Sequence, residues 1–347
     1  MTLPVWTPIS PEKTSMSHMM RMVEAKHHIT LKDYAAFHAW SIKHAAEFWE
    51  DLTEFFEVKF DTPPTEILNS AENMMDSTWF SGATFNIIRM LLKRNDNHTA
   101  LVCIDENRQR RVISYQALQE QVSQCAASLY AKGVRPQDRV VGILPNSEYA
   151  VIAMLATASI GAIWSACSPD FGLNALTDRL SQIEPKFLFM CEGYNYHGKS
   201  YDITDKVQSL LSHVQSIEHV VLCPVLFADT ALKATENWQN FLSAHDAPAP
   251  QSSFDFNHPW YILFSSGTTG KPKCIVHSTG GTLLQHLKEL GLHTNLGNTD
   301  TLLFHTTCGW MMWNWMVSAL ALGTTLVLYD GSPLFPETES LFEILSE

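Results

Sequence analysis

The chain has 347 residues, 46% of them hydrophobic, enough for a large core and for two or more packing units. A formal net charge of -13 excludes a broad basic face for nucleic acid, while a few local cations and backbone N–H groups still suffice for anionic small molecules. The seven cysteines are scattered with no CxxC, which argues against a disulfide framework or a zinc site and for a reducing compartment, here the cytoplasm. The opening MTLPVWTPISPEK has no apolar signal core, and no uncharged apolar run reaches membrane-spanning length, so neither secretion nor a membrane partner is expected.

Residues 1–77 read as a helical segment. Thr30-Leu31-Lys32-Asp33 has the form of a capping box. Apolar residues then recur at Tyr34, Phe37, Trp40, Ala45, Phe48, Trp49, Leu52 and Phe55, which fits one helical face. Asp61-Thr62-Pro63-Pro64 closes the segment, a packing appendage with no chemistry of its own.

Residues 78–258 read as a first α/β subdomain. Residues 139–144 form a strand, 148–160 an Ala-rich apolar helix and 162–167 a second strand, with Asn146 or Ser147 as helix cap. A helix at 173–183, a strand at 187–191, a helix at 203–214 and a strand at 219–223 continue the alternation. Such runs predict an α/β fold, a parallel sheet covered by helices. The polar stretch 228–257 reads as a connection, and residues 259–347 as the start of a second α/β subdomain that stays incomplete. Leu334-Phe335-Pro336-Glu337 reads as the opening of a last helix.

Between the strands 261–264 and 274–277 lies Ser265-Ser266-Gly267-Thr268-Thr269-Gly270-Lys271-Pro272-Lys273. Glycines let backbone approach a ligand, hydroxyls and N–H groups donate to phosphate oxygens, and Lys271 and Lys273 supply charge. It is not a Walker A loop: Gly267 and Gly270 are too close, and Pro272 follows Lys271 where Ser or Thr would bind magnesium. Gly193-Tyr194-Asn195-Tyr196-His197-Gly198-Lys199-Ser200 does fit Walker A, with a strand before it and a helix expected after it. A P-loop NTPase using that segment is therefore an alternative, as is a non-catalytic module that binds CoA or a nucleotide. No HExxH and no G-x-S-x-G is present, and His277 and His305 read as structural.

SSGTTGKPK resembles the signature of adenylate-forming enzymes, the group that includes acyl-CoA synthetases, with Cys274 where glycine is usual. LPNSEYAVIAMLATASIGAIWSACSPDFG and GWMMWNWMVSALALGTTLVLYDGSP are similar to the acetyl-CoA and acetoacetyl-CoA synthetase branch, the second stretch most of all to acetoacetyl-CoA synthetases. The helical N-terminus is similar to that branch's leader segment. The resemblance implies ATP, Mg2+ and CoA as substrates or cofactors, acetoacetate as the favoured acid, and acyl-CoA formation through an acyl-adenylate. It implies that Ser265, Ser266, Gly267, Thr268, Thr269, Gly270, Lys271 and Lys273 hold ATP phosphates. Trp310, Met311 and Met312 would line the acyl pocket, while Tyr196, His197, Gly198 and Lys199 would contact CoA. The family's adenine, ribose and hinge motifs and its C-terminal domain with the adenylation lysine are absent from this sequence. On that resemblance the chain is expected to be an N-terminal fragment, unable to complete the reaction alone.

Overall fold

A computed structural model describes residues 7–226, 235–244, 247–265 and 270–346. The N-terminal segment forms α1 (Ser15–His27), α2 (Tyr34–Lys43) and α3 (Ala45–Phe55). The capping box expected at Thr30 is displaced by three residues. Asp33 itself caps α2, its carboxylate accepting from Ala36 N at 2.9 Å. The single apolar face expected over residues 34–55 breaks at His44, whose backbone leaves the helical region at φ -119° and ψ 54°. Phe37, Phe48 and Leu52 are buried as the period predicts, whereas Tyr34 is half exposed. Buried Asp51 ties α3 to α1, lying 2.8 Å from Lys26 Nζ and 2.7 Å from His27 Nε2.

The remaining chain alternates strand and helix. In order come β1 (Thr99–Asp105), β2 (Arg110–Ser114), α4 (Tyr115–Ala131), β3 (Arg139–Ile143), α5 (Glu148–Ser159) and β4 (Ile163–Cys167). Then follow α6 (Leu173–Ile183), β5 (Phe187–Met190), β6 (Gly193–Tyr196), β7 (Lys199–Asp202), α7 (Thr204–His213), β8 (His219–Leu222) and β9 (Glu236–Asn237). The last elements are β10 (Pro259–Ser265), β11 (Lys273–Ser278), α8 (Thr279–Leu287), β12 (Thr301–Leu303), α9 (Met311–Val317), β13 (Thr325–Asp330) and α10 (Ser340–Ser346).

Two sheets result. The larger has the order β9-β8-β5-β3-β4-β10-β11, parallel except for β11, which returns antiparallel to β10. The smaller has the order β12-β13-β1-β2, with β2 antiparallel at its edge. Every residue of β4 and β5 is buried, the continuous apolar run expected of parallel strands covered on both faces. α5 is buried nearly all round, packing on β4 and on α4, and α4 in turn contacts β1 and β2. This helix pair joins the sheets into one core.

Two expectations about loops change. The stretch read as a plain connection contains β9, which extends the large sheet, and a short helix whose Trp238 packs on Tyr149 and Phe189 at ring distances of 5.2 and 5.8 Å. The last helix begins at Ser340 rather than at Pro336, because Phe335 is used for packing: it folds over Gly198 and His197. Among the described residues no helix is long and apolar enough to cross a membrane.

Candidate functional site

In open parallel sheets, ligands bind beyond the carboxyl ends of the strands. Here the 305–310 loop crosses those ends. Cys308 Sγ donates to Pro145 O at 3.2 Å just past β3, and Gly309 lies so close to β4 that a Cβ there would stand 3.4 Å from Ala166 O. The loop leads into α9, anchored by Trp313. Its indole Nε1 donates to Asn146 Oδ1 at 2.9 Å, and Asn146 Nδ2 reaches Tyr329 O at 3.4 Å. Asn146 therefore serves α9, while Ser147 holds the N-cap position of α5.

The Gly/Ser/Thr loop joins β10 to β11, with Ser265 opposite Lys273 at the loop end of the hairpin. Ser266, Gly267, Thr268 and Thr269 lie outside the described residues. The returning arm is pinned to α6: Gln182 Nε2 donates to Pro272 O at 3.0 Å, and Lys271 Nζ pairs with Asp178 at 2.9 Å. Gly270 and Lys271 are exposed.

Trp310 caps α9 and is 65% exposed, Met311 is also exposed, and Met312 is half-buried. Met311 borders a cavity of about 440 Å³ together with Val276, His277, Thr282, Gln285 and His286 from β11 and α8. His286 Nδ1 lies 2.8 Å from Ser318 Oγ. Burial pushes its pKa down to about 3, helped by His277, and burial lowers that of His277 as well, so both rings are neutral near pH 7.

The segment that fits Walker A is a β-hairpin. β6 and β7 pair antiparallel, and His197 and Gly198 form the two-residue turn with φ of 53° and 73°. Both positive angles mark a type I′ turn. Lys199 starts a strand, and α7 begins only at Thr204, so the helix that a P-loop needs after its lysine is not there. The turn amides are also taken. Glu106 Oε1 accepts from His197 N at 2.7 Å, and Glu106 Oε2 from Gly198 N at 2.8 Å. The P-loop reading is corrected accordingly.

Cross-strand pairing puts Tyr194 opposite Tyr201 and Tyr196 opposite Lys199, which sets three tyrosines and a lysine on one face of the hairpin. The Tyr194 and Tyr201 rings stack at 5.1 Å. The three tyrosines line a second cavity, about 450 Å³, with Asp170, Thr307 and Asp330 on its other walls. Asp330 ends β13, and burial together with the charges of Glu106 and Asp105 pushes its pKa up to about 7. Sequence reasoning missed Glu106, Tyr194, Tyr201 and His286. The alternation of tyrosines at 194 and 196 was a readable strand signal, but the Walker pattern masked it.

The AMP-binding enzyme family model matches residues 89–347. The chain belongs to this family of AMP-binding enzymes. A second model, the acetyl-coenzyme A synthetase N-terminus, matches residues 34–89. Acetoacetyl-CoA synthetase of Mus musculus is 42% identical over 98% of the chain and 52% of that protein. Acetoacetyl-coenzyme A synthetase of Rhizobium meliloti (strain 1021) is 39% identical over 98% of the chain and 53% of that protein. The solved acetoacetyl-CoA synthetase from Streptomyces lividans has a TM-score of 0.94 and 40% identity, covering 99% of this chain and 54% of that one. The chain spans about half the length of the curated relatives it matches.

Proposed function

We propose that this chain carries the phosphate loop, the acyl wall and the CoA contact of an acid–thiol ligase that activates a short-chain acid, acetoacetate foremost, with ATP and transfers it to CoA. One observation carries the reading: the 305–311 segment borders both cavities, Thr307 lining the one under the tyrosine hairpin and Met311 the one beside β11. An acid bound near Met311 would lie at the strand that leaves the phosphate loop, and a thiol entering past the hairpin would approach from the other side.

In this reading the carboxylate attacks the α-phosphorus of ATP and pyrophosphate leaves. CoA thiolate then attacks the acyl carbonyl and AMP leaves. The protein supplies no nucleophile, only position and charge. Lys271, Lys273 and the hydroxyls from Ser265 to Thr269 steer the pyrophosphate, which requires Lys271 to leave Asp178. Trp310, Met311 and Met312 enclose the acyl group, and Tyr196 and Lys199 meet the nucleotide end of CoA. Magnesium would enter with ATP. Among the described residues no group of three or more His, Cys, Asp or Glu could hold it, and no step here is routed through it. A cytoplasmic setting without nucleic-acid partners fits the six buried and unpaired cysteines, the single exposed one, and the net charge of -13.

Calorimetric titration of Lys271→Ala and Lys199→Ala tests the assignment. Lys271→Ala should weaken ATP binding and spare CoA, and Lys199→Ala should do the reverse. Loss of ATP binding with Lys199→Ala alone would sink the reading, and CoA binding with no ATP binding in the unaltered chain would leave only a CoA-binding module.

A further inference from the structure

Glu106 follows β1, in the turn to β2, and is only 3% exposed. It meets three backbone donors from two loops that come from different sheets. Besides the two turn amides of the β6–β7 hairpin, Ser332 N donates to Oε1 at 2.7 Å. The loop after β13 is shaped for this approach. Gly331 has φ +153°, and a Cβ there would lie 2.7 Å from that of Glu106. Tyr329 Oη braces the same loop by donating to Ser332 O at 2.8 Å. Phe335 then closes over the turn, where a Cβ on Gly198 would come within 2.7 Å of its ring.

A lone two-stranded hairpin has little of its own to fix its direction. Here a buried carboxylate fixes it, with every donor of the turn engaged. We propose that Glu106 is a positioning residue for CoA: it holds the β6–β7 turn so that Tyr196 lines the cavity, and Lys199, its cross-strand partner, stands at the same face, in the orientation that the nucleotide end of CoA requires. This rests on the reading of the hairpin as a CoA contact. The chemistry demands a carboxylate. With Gln at this site, one oxygen can still take His197 and Ser332, but the amide NH2 then faces the Gly198 N–H, donor against donor. Turning the amide over loses two hydrogen bonds to save one.

Calorimetry on the purified protein with CoA and with ATP, together with amide hydrogen exchange before CoA is added, tests this. Glu106→Gln should raise the Kd for CoA about tenfold and leave that for ATP within about twofold. In the unaltered protein the His197 and Gly198 amides should exchange slowly without CoA, a result that does not depend on any variant folding. Fast exchange at these two amides overturns the proposal. So does equal weakening of ATP and CoA by Glu106→Gln, which would mark a merely structural role. Unchanged CoA affinity in Glu106→Gln alongside a loss in Lys199→Ala overturns the latch and keeps the hairpin contact. Unchanged affinity in Lys199→Ala and Tyr196→Ala removes the contact itself, and the proposal with it.

Discussion

Replacing Trp313 by Phe tests what holds α9 over the strand ends. Trp313 is fully buried and its indole N–H is the donor to Asn146 Oδ1 at 2.9 Å, with Asn146 only 5% exposed. Phe keeps the aromatic face and removes that donor. A buried carbonyl oxygen left unpaired costs about 1–3 kcal/mol. The smaller ring also empties roughly 40 Å³, which at about 24 cal/mol per Å³ adds about 1 kcal/mol. The expected loss of about 2–4 kcal/mol lowers Tm by about 4 °C or more. Urea unfolding of Trp313→Phe, Asn146→Ala and the double variant separates the hydrogen bond from the cavity. The cycle should give a coupling of about 1 kcal/mol or more. A single-variant loss below about 0.5 kcal/mol, or costs that simply add, would refute the argument that this pair anchors α9.

Gly198→Ala meets Phe335 at 2.7 Å and must hold φ near +73°, so it should destabilise the protein by about 1–2 kcal/mol in urea unfolding; a neutral result contradicts the type I′ turn. Asp330 has a folded pKa raised from 3.8 to about 7, so the folded state binds its proton more tightly than the unfolded chain does. The stability it contributes is fully present below pH 3.8 and is lost as pH rises through 7. Asp330→Asn should therefore gain stability over the parent at pH 8 and not at pH 4, and an equal difference at both in thermal melts counts against the burial argument. His286 runs the other way: its pKa falls from 6.5 to about 3, so its contribution is present above pH 6.5 and is lost as pH falls toward 3. His286→Gln should flatten the decline between pH 6.5 and pH 5, removing about 2 kcal/mol of it in urea titrations; an unchanged slope would show that other groups carry it.

The α/β alternation was legible because the central strands are buried on both faces and read as unbroken apolar runs between amphipathic or Ala-rich helices. The helix at 173–183 and the strand starting at 219 need no correction. Long-range pairing was not legible. Nothing local tells that β1 joins β13, or that Glu106 reaches Gly198, since such contacts depend on topology rather than on periodicity. Lys199 shows the limit of a motif: the spacing of Gly193, Gly198 and Lys199 matches a phosphate loop, yet the same glycine serves an I′ turn, and only the element that follows it decides. The short helix with Trp238 escaped because six residues carry too few turns for a period to register.

The place of β1 in the smaller sheet also sets an order of events during synthesis. β2 follows β1 directly, but its other neighbour, β13, lies far along the chain: Thr325 Oγ1 donates to Thr99 O across 226 residues. At ~5–20 residues per second the ribosome takes roughly 10–50 s to supply that partner. Over that interval Leu101 and Cys103 present an apolar strand edge that any other extended segment could join. Aggregation then competes with folding in the growing chain, and the yield of native protein depends on synthesis rate and temperature as much as on the stability of the finished fold.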